Sequence, residues 1–190
     1  MSVQKIMRSS TAVVLLGAIM TFSSSTGAQE PKPSNAATSK PALVTRDQIK
    51  LNLAGAELVI AAMKEKAAEM KLRVNLAVVD DGGHLLAFAR MDGARPASTA
   101  TALTKAVDAA TMRVPTGPIR RGDAEPDLLL NLSLQNAAAT SGGKMTSLYG
   151  GVPIVVDGQV IGAVGIGGGT GEQDAEIGRA GIDKLLGELR

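Results

Sequence analysis

V-N-L-A-V-V-D-D-G-G-H-L-L-A-F-A-R-M-D-G, residues 74–93, is the stretch whose reading decides the fold. Two apolar runs flank Asp81-Gly82-Gly83, and Asp-Gly or Gly-Gly between strand-like runs is a strong hairpin signal. The first run, Val74 to Val79, is too apolar for a strand with one wet face. Both faces are therefore expected to be covered, and the sheet should carry helices. The second run, His84 to Met91, holds the single histidine of the chain. It leaves through Arg90-Met91-Asp92-Gly93. The rest of the chain reads as packing on this hairpin or completing its sheet.

Upstream of it, residues 1–28 have the form of a secretory signal. Lys5 and Arg8 make the basic start, Ala12 to Met20 the apolar run, and Thr26-Gly27-Ala28 the small residues before a cut at Gln29. The apolar run is shorter than the roughly 20 residues a membrane span needs. The expectation is therefore cleavage, a periplasmic or secreted protein, and no stable membrane span afterwards. Residues 29–42, rich in Pro, Ser, Ala and Lys, read as a disordered linker. The domain proper is expected over 43–190. Of the 20 basic residues, Lys5 and Arg8 lie in the leader, which leaves 18 against 18 acidic ones. A neutral domain offers no electrostatic case for nucleic acid. Without cysteine, disulfides, thiolate metal sites and cysteine nucleophiles are excluded. Aromatics make up only 2% of the chain, so core volume must come from aliphatic residues and Met.

A first helix is expected from Thr45, where Thr45-Arg46-Asp47-Gln48 fits a capping box. Ile49, Leu53, Ala56, Ile60, Met63, Ala67 and Met70 form its apolar stripe, with Lys64, Glu65, Lys66, Glu69 and Lys71 on the wet side. After Arg95-Pro96, Ser98 or Thr99 can cap a second helix with Ala100, Leu103, Val107 and Ala110 inside, ending before Val114-Pro115. Pro115 to Pro126 reads as a loop and Asp127 to Ala139 as a short helix, broken at Ser141-Gly142-Gly143. Gly150-Gly151 opens a second hairpin, Val152–Val156 and Val160–Ile166, turning at Asp157-Gly158-Gln159. Gly167 to Gly171 leads into a last helix from about Glu172, with Ala175, Gly178, Ile182, Leu185 and Leu189 inside. Gly178 and Gly181 would let that helix approach the sheet or another subunit closely. Helices between antiparallel hairpins argue an α+β fold.

The segments Ala77 to Ala94, Lys105-Ala106, Gly150 to Asp174 and Ala180 to Ile182, taken together, resemble the GlcG/HbpS-like family, also called the haem-degrading domain family. The resemblance covers roughly Thr45 to Arg190. It implies a profilin-like fold of α/β/α layers around an antiparallel five-stranded sheet. It also implies homo-oligomers and, for some exported members, haem binding linked to redox sensing, with haem degradation left open. Gly167 stands where the family often carries Ser, which weakens the case for a hydroxyl ligand at that position.

The residues also carry a reading of their own. His84 is the sole imidazole available to an iron or cobalt centre; the plainer reading is a polar residue at a hairpin mouth. Met145 and Tyr149 are the other candidate axial ligands. Arg90 and Lys105 are the cations suited to an anionic ligand such as a propionate, or else surface partners of Asp92 and Asp108. The turn containing Gly168 and Gly169 can present N–H groups to a carboxylate or phosphate, although its spacing is not the dinucleotide G-x-G-x-x-G. The resulting expectation is an exported, oligomeric binding protein for haem, a related tetrapyrrole or another small anionic ligand, in haem or redox sensing or handling. Two alternatives stand beside it. One is a small-molecule enzyme for a hydroxy- or keto-acid with Asp80, His84 and Arg90 working together. The other is an accessory structural subunit.

Overall fold

Residues 48–190 are described by a computed structural model of the chain. The leader and linker expected over 1–42 lie outside them. The order is α1 (Leu53–Glu69), β1 (Asn75–Asp80), β2 (Leu85–Arg90), α2 (Ser98–Met112), α3 (Leu128–Thr140), β3 (Gly151–Val156), β4 (Gln159–Gly167) and α4 (Gly171–Glu188). The strands form one antiparallel sheet in the order β2-β1-β4-β3. Four strands are present among the described residues, not the five the resemblance implied. Between β2 and β3 the chain goes into two helices and a loop punctuated by Pro115, Pro118 and Pro126, which cannot pair as strand.

Both hairpins form where their turns were read. Asp157 and Gly158 both take positive φ, 48° and 75°, the pairing a two-residue turn requires to match strand twist. In the first hairpin the Asp80 carboxylate closes the turn. Its Oδ1 accepts from the backbone N–H of Gly82 at 2.9 Å and of His84 at 2.8 Å.

The two faces of the sheet differ in scale. Leu76, Val78, Ile154, Val164 and Ile166 point to one face and pack on Val59, Ile60 and Met63 of α1 and Ile177 and Ile182 of α4. Ala77, Val79 and Ala163 point to the other and meet Ala102, Ala106, Ala109 and Ala110 of α2. This second layer is thin for a definite reason. A Cβ at Gly165 would run into the backbone of Ala102 and Ala106, and one at Gly167 would stand 2.5 Å from Ser98 O. Strand and helix touch main chain to main chain, and only alanine fits between. The stripe read for this helix is displaced accordingly. Ala100 is exposed and Leu103 and Val107 lie at the flank, while Ala102, Ala106 and Ala109 are buried. Neither Ser98 nor Thr99 caps it; the N-cap is Ala97, without a side-chain bond.

The first helix begins later than expected. Gln48 to Asn52 are not helical, and Thr45 to Asp47 lie outside the described residues. Asn52 takes the cap, accepting from Gly55 N–H at 2.8 Å, while Ile49 N–H reaches Gln159 Oε1 at 3.4 Å. The pre-helical segment is thus tied to the start of β4. At the other end, α4 carries a capping box between Thr170 and Gln173. Gly178 and Gly181 are consumed inside the fold, facing Val164 and Ile166, and Met63 and Val59, respectively. Neither is available to a second subunit. Leu189, expected inside, follows the helix and is exposed.

Candidate functional site

The sheet presents chemistry at its two opposite ends. At the β1–β2 turn stands His84, its side chain 83% exposed. Nδ1 lies 3.2 Å and 3.3 Å from the two oxygens of Asp80, the same carboxylate that shapes the turn. With Nδ1–H donating to Asp80, the lone pair falls on Nε2. A carboxylate behind an imidazole is the usual arrangement for fixing a metal-binding tautomer. The sequence could not supply this partner, because only the folded turn places Asp80 and His84 together.

A groove of about 610 Å³ runs beside that turn. Gly82 and Gly83 form one wall, Val107, Thr111 and Met112 of α2 the floor, and Leu134, Ala137 and Ala138 of α3 the far wall, with Lys144 and Met145 closing it. Gly83, at φ +83°, packs so closely that a Cβ would lie 3.1 Å from Val107 Cγ1. The turn and α2 therefore hold one another in register. Groove volumes of about 300–1,000 Å³ suit organic ligands that are largely buried.

Four other candidate residues converge at the opposite end of the sheet. Lys105, Tyr149, Gly168 and Gly169 line a smaller cleft of about 300 Å³, together with Arg95 and Asp174. Lys105 is neither a surface residue nor a partner of Asp108. It is buried, donating to Asp174 Oδ2 at 2.7 Å and to Ile166 O at 2.9 Å. Burial pushes the Asp174 carboxyl up, and Lys105 and the Gly169 N–H pull it back. The glycine turn already holds an anion of its own. Gly169 N–H donates to Asp174 Oδ1 at 3.0 Å and Thr170 N–H to Gln173 Oε1 at 2.9 Å. Gly168, at φ +140°, brings the chain against Arg73 and Val74.

These two groups do not form one site. Asn75 pairs with Gly167 and Asp80 with Gly162, so the length of β1 separates them, about 17 Å at strand rise. Arg90 pairs with Asn75 and so lies at the far end of β2 from His84, its Nε donating to Ala94 O at 3.3 Å. The cluster of Asp80, His84 and Arg90 expected of a hydroxy- or keto-acid enzyme is therefore not assembled: the first two touch, the third does not. Met145 lines the groove beside the β1–β2 turn and Tyr149 does not, while His84 stands on the same turn outside that lining. Among the described residues no group of three or more His, Cys, Asp or Glu could hold a metal ion, and no helix is long and apolar enough to cross a membrane.

Residue-type reasoning passed over Asp108. It is 5% exposed. Its Oδ2 accepts from Thr146 N–H at 3.1 Å, while Oδ1 has no partner. The signal was present: Lys105 and Asp108 share the alanine face of one helix, where a charge is buried and not solvated.

An antiparallel sheet with helices on both faces and a groove beside its first hairpin defines a class of small α+β domains. The chain belongs to the family of haem degrading protein HbpS-like domains, whose model matches residues 51–183. Among curated proteins it is 42% identical to Protein GlcG of Escherichia coli K12 over 58% of this chain and 76% of that one. Among solved structures, protein ORFY of Klebsiella pneumoniae superposes with a TM-score of 0.64 at 32% identity, covering 77% of this chain and 98% of that one. A PduOC:haem complex superposes at 0.59 with 27% identity, covering 72% and 95%.

Proposed function

We propose that this protein is an exported binding protein for haem or a related tetrapyrrole, held in the groove beside the β1–β2 turn. One observation carries the reading. The chain's single imidazole stands on the turn that walls a 610 Å³ groove, and a carboxylate orients it from behind. The haem complex of a relative with this fold supports the choice of ligand. Haem would bring an iron centre and two carboxylates. His84 Nε2 is the donor suited to the iron, and Met145 adds a soft side chain at the same groove. Lys144, exposed at the groove wall, takes the role of carboxylate partner first given to Arg90. Lys105, Tyr149, Gly168 and Gly169 belong to the other end of the sheet and have no part in this site. The layering of helices on both faces is read as profilin-like, and the role as haem handling or redox sensing.

Self-association belongs to the same proposal, on a different surface from the one the sequence suggested. Leu128, Leu129 and Leu132 of α3 are strongly exposed. Burying each against a second copy would contribute about 1.5–3 kcal/mol. Intact mass and light scattering of protein taken from the periplasm or medium test both points. A mass that includes residues 1–28, or a monomer at micromolar concentration, contradicts them.

Hemin titration followed by absorbance tests the ligand. Wild type should give a saturable Soret shift. His84→Ala should change the band positions and weaken binding about tenfold or more, since second-shell changes alone cost 10–100-fold at metal sites. No saturable shift in wild type overturns the haem reading.

A further inference from the structure

The cleft at the other end of the sheet, about 300 Å³ in volume, shares no lining residue with the groove assigned to haem. Its charges do not balance. Lys105 and Asp174 neutralise one another at 2.7 Å, and the Gly169 N–H is already spent on Asp174. Arg95 is left over. Its Nε donates to Ser98 Oγ at 3.0 Å, and among the described residues no carboxylate pairs with it. Arg73 and Arg90 stand at the same end of the sheet. Each donates to a backbone carbonyl, of Asp92 and of Ala94 respectively, and Asp92 makes no ion pair with any of the three. Residues 29–190 carry as many acidic as basic side chains, so guanidinium groups without counter-charges gathered at one end give that end a positive field. The wall of the cleft is the second observation. Tyr149, the chain's single tyrosine, is half-exposed there, with exposed Leu148 beside it. Two glycines seat it. A Cβ at Gly117 would stand 2.7 Å from its Cε1, and one at Gly171 would run into its Cβ. The backbone thus fixes an aromatic side chain and leaves part of it uncovered.

We propose that this cleft is a second ligand site, for a small carboxylate with an apolar body: Arg95 takes the carboxylate, and Tyr149 and Leu148 take the body. A planar guanidinium matches a carboxylate in charge and geometry, and an aromatic face offers contact area at a fixed position. The volume lies at the low end of the range for organic ligands, which limits the molecule to about one ring or a short chain. The N-terminus of α4 does not hold the anion, because Asp174 and Gln173 already occupy its N–H groups. This site does not depend on haem binding.

The test is an NMR titration of the hemin-free protein with benzoate, benzamide, acetate and inorganic phosphate, read at the backbone amides of Leu148, Gly169 and Gly171. Low ionic strength keeps the exposed charge of Arg95 unscreened. Benzoate should bind about tenfold or more tighter than benzamide, which has the ring without the charge. It should exceed acetate, which has the charge without the ring, by a similar factor, and it should exceed phosphate. Arg95→Gln should abolish the preference for benzoate over benzamide. Its side chain is exposed and holds only Ser98, so the variant should fold. Arg95→Lys keeps the charge without the planar fork and should recover only part of the affinity. Tyr149→Ala should bring benzoate down to the level of acetate. Benzamide binding as well as benzoate, no saturation by benzoate at millimolar concentration, or an Arg95→Gln protein that still prefers benzoate overturns the proposal. Phosphate displacing benzoate from the same amides also overturns it, since the apolar wall would then have no part in recognition.

Discussion

Two buried carboxylates show how one residue type takes opposite parts at short range. Asp174 is paired: Lys105 sits 2.7 Å away and the pair is 6% and 1% exposed. Its members were removed from water together, so removing one strands the other. Lys105→Ala should cost about 3–5 kcal/mol, measurable by urea unfolding, whereas an equal loss from the exposed Lys144→Ala would contradict this account. Asp108 is unpaired, and its pH signature follows from that. Burial raises its folded value above the unfolded one, so the folded state holds the proton more tightly. The stability this gives is fully present below the ordinary carboxylate range, about 3.9, and is lost as pH rises through the folded value. Asp108→Asn cannot titrate. The stability of wild type relative to this variant should therefore fall as pH rises from below the ordinary carboxylate value through the raised folded one. A difference that stays flat with pH would show that the carboxyl is not desolvated.

At the scale of elements, the seam between α2 and β4 governs what the domain tolerates. Gly165→Ala places a methyl group against the main chain of Ala102 and Ala106, which no rotamer change can relieve. Overpacking of this kind costs typically 1–3 kcal/mol or more. A Gly165→Ala protein that unfolds at the wild-type urea midpoint would refute the close approach. The seam also explains what the sequence could and could not tell. Both hairpins, three of the four helices nearly to their ends, and the burial of Val74 to Val79 were legible, because Asp-Gly turns and apolar periodicity act locally. The inner face of α2 was not. A periodic reading weights the largest apolar residues and chose Leu103 and Val107, but the glycines of β4, sixty residues away, leave room only for alanine. The start of α1 was misplaced for a similar reason: Asn52 caps the helix, and the non-helical segment before it is tied through Ile49 to Gln159, a contact from the far end of the chain. The candidate site was half legible. Residue type picked out His84, Lys105 and Tyr149, but the strand register places His84 at one end of the sheet and the other two at the opposite end.

The whole molecule divides its work between its layers. The face bearing α1 and α4 holds the large aliphatic core, with Met63, Leu76, Ile154 and Ile166 fully buried. The face bearing α2 is thin, and α3 stands off it far enough to leave the hollows lined by Met112, Leu134 and Met145. The large core and the hollows thus lie on opposite sides of one sheet, with the β1–β2 turn at the rim between them. In the proposed function this rim holds haem through His84. Because the chain contains one histidine, ¹⁵N-histidine labelling marks that residue alone. Resonance Raman spectroscopy of the ferrous haem complex then reads the bond directly. An iron–histidine stretching band that shifts on ¹⁵N labelling and vanishes in His84→Ala is the predicted result. A haem complex with no isotope-sensitive band, or with the same band in His84→Ala, would contradict it.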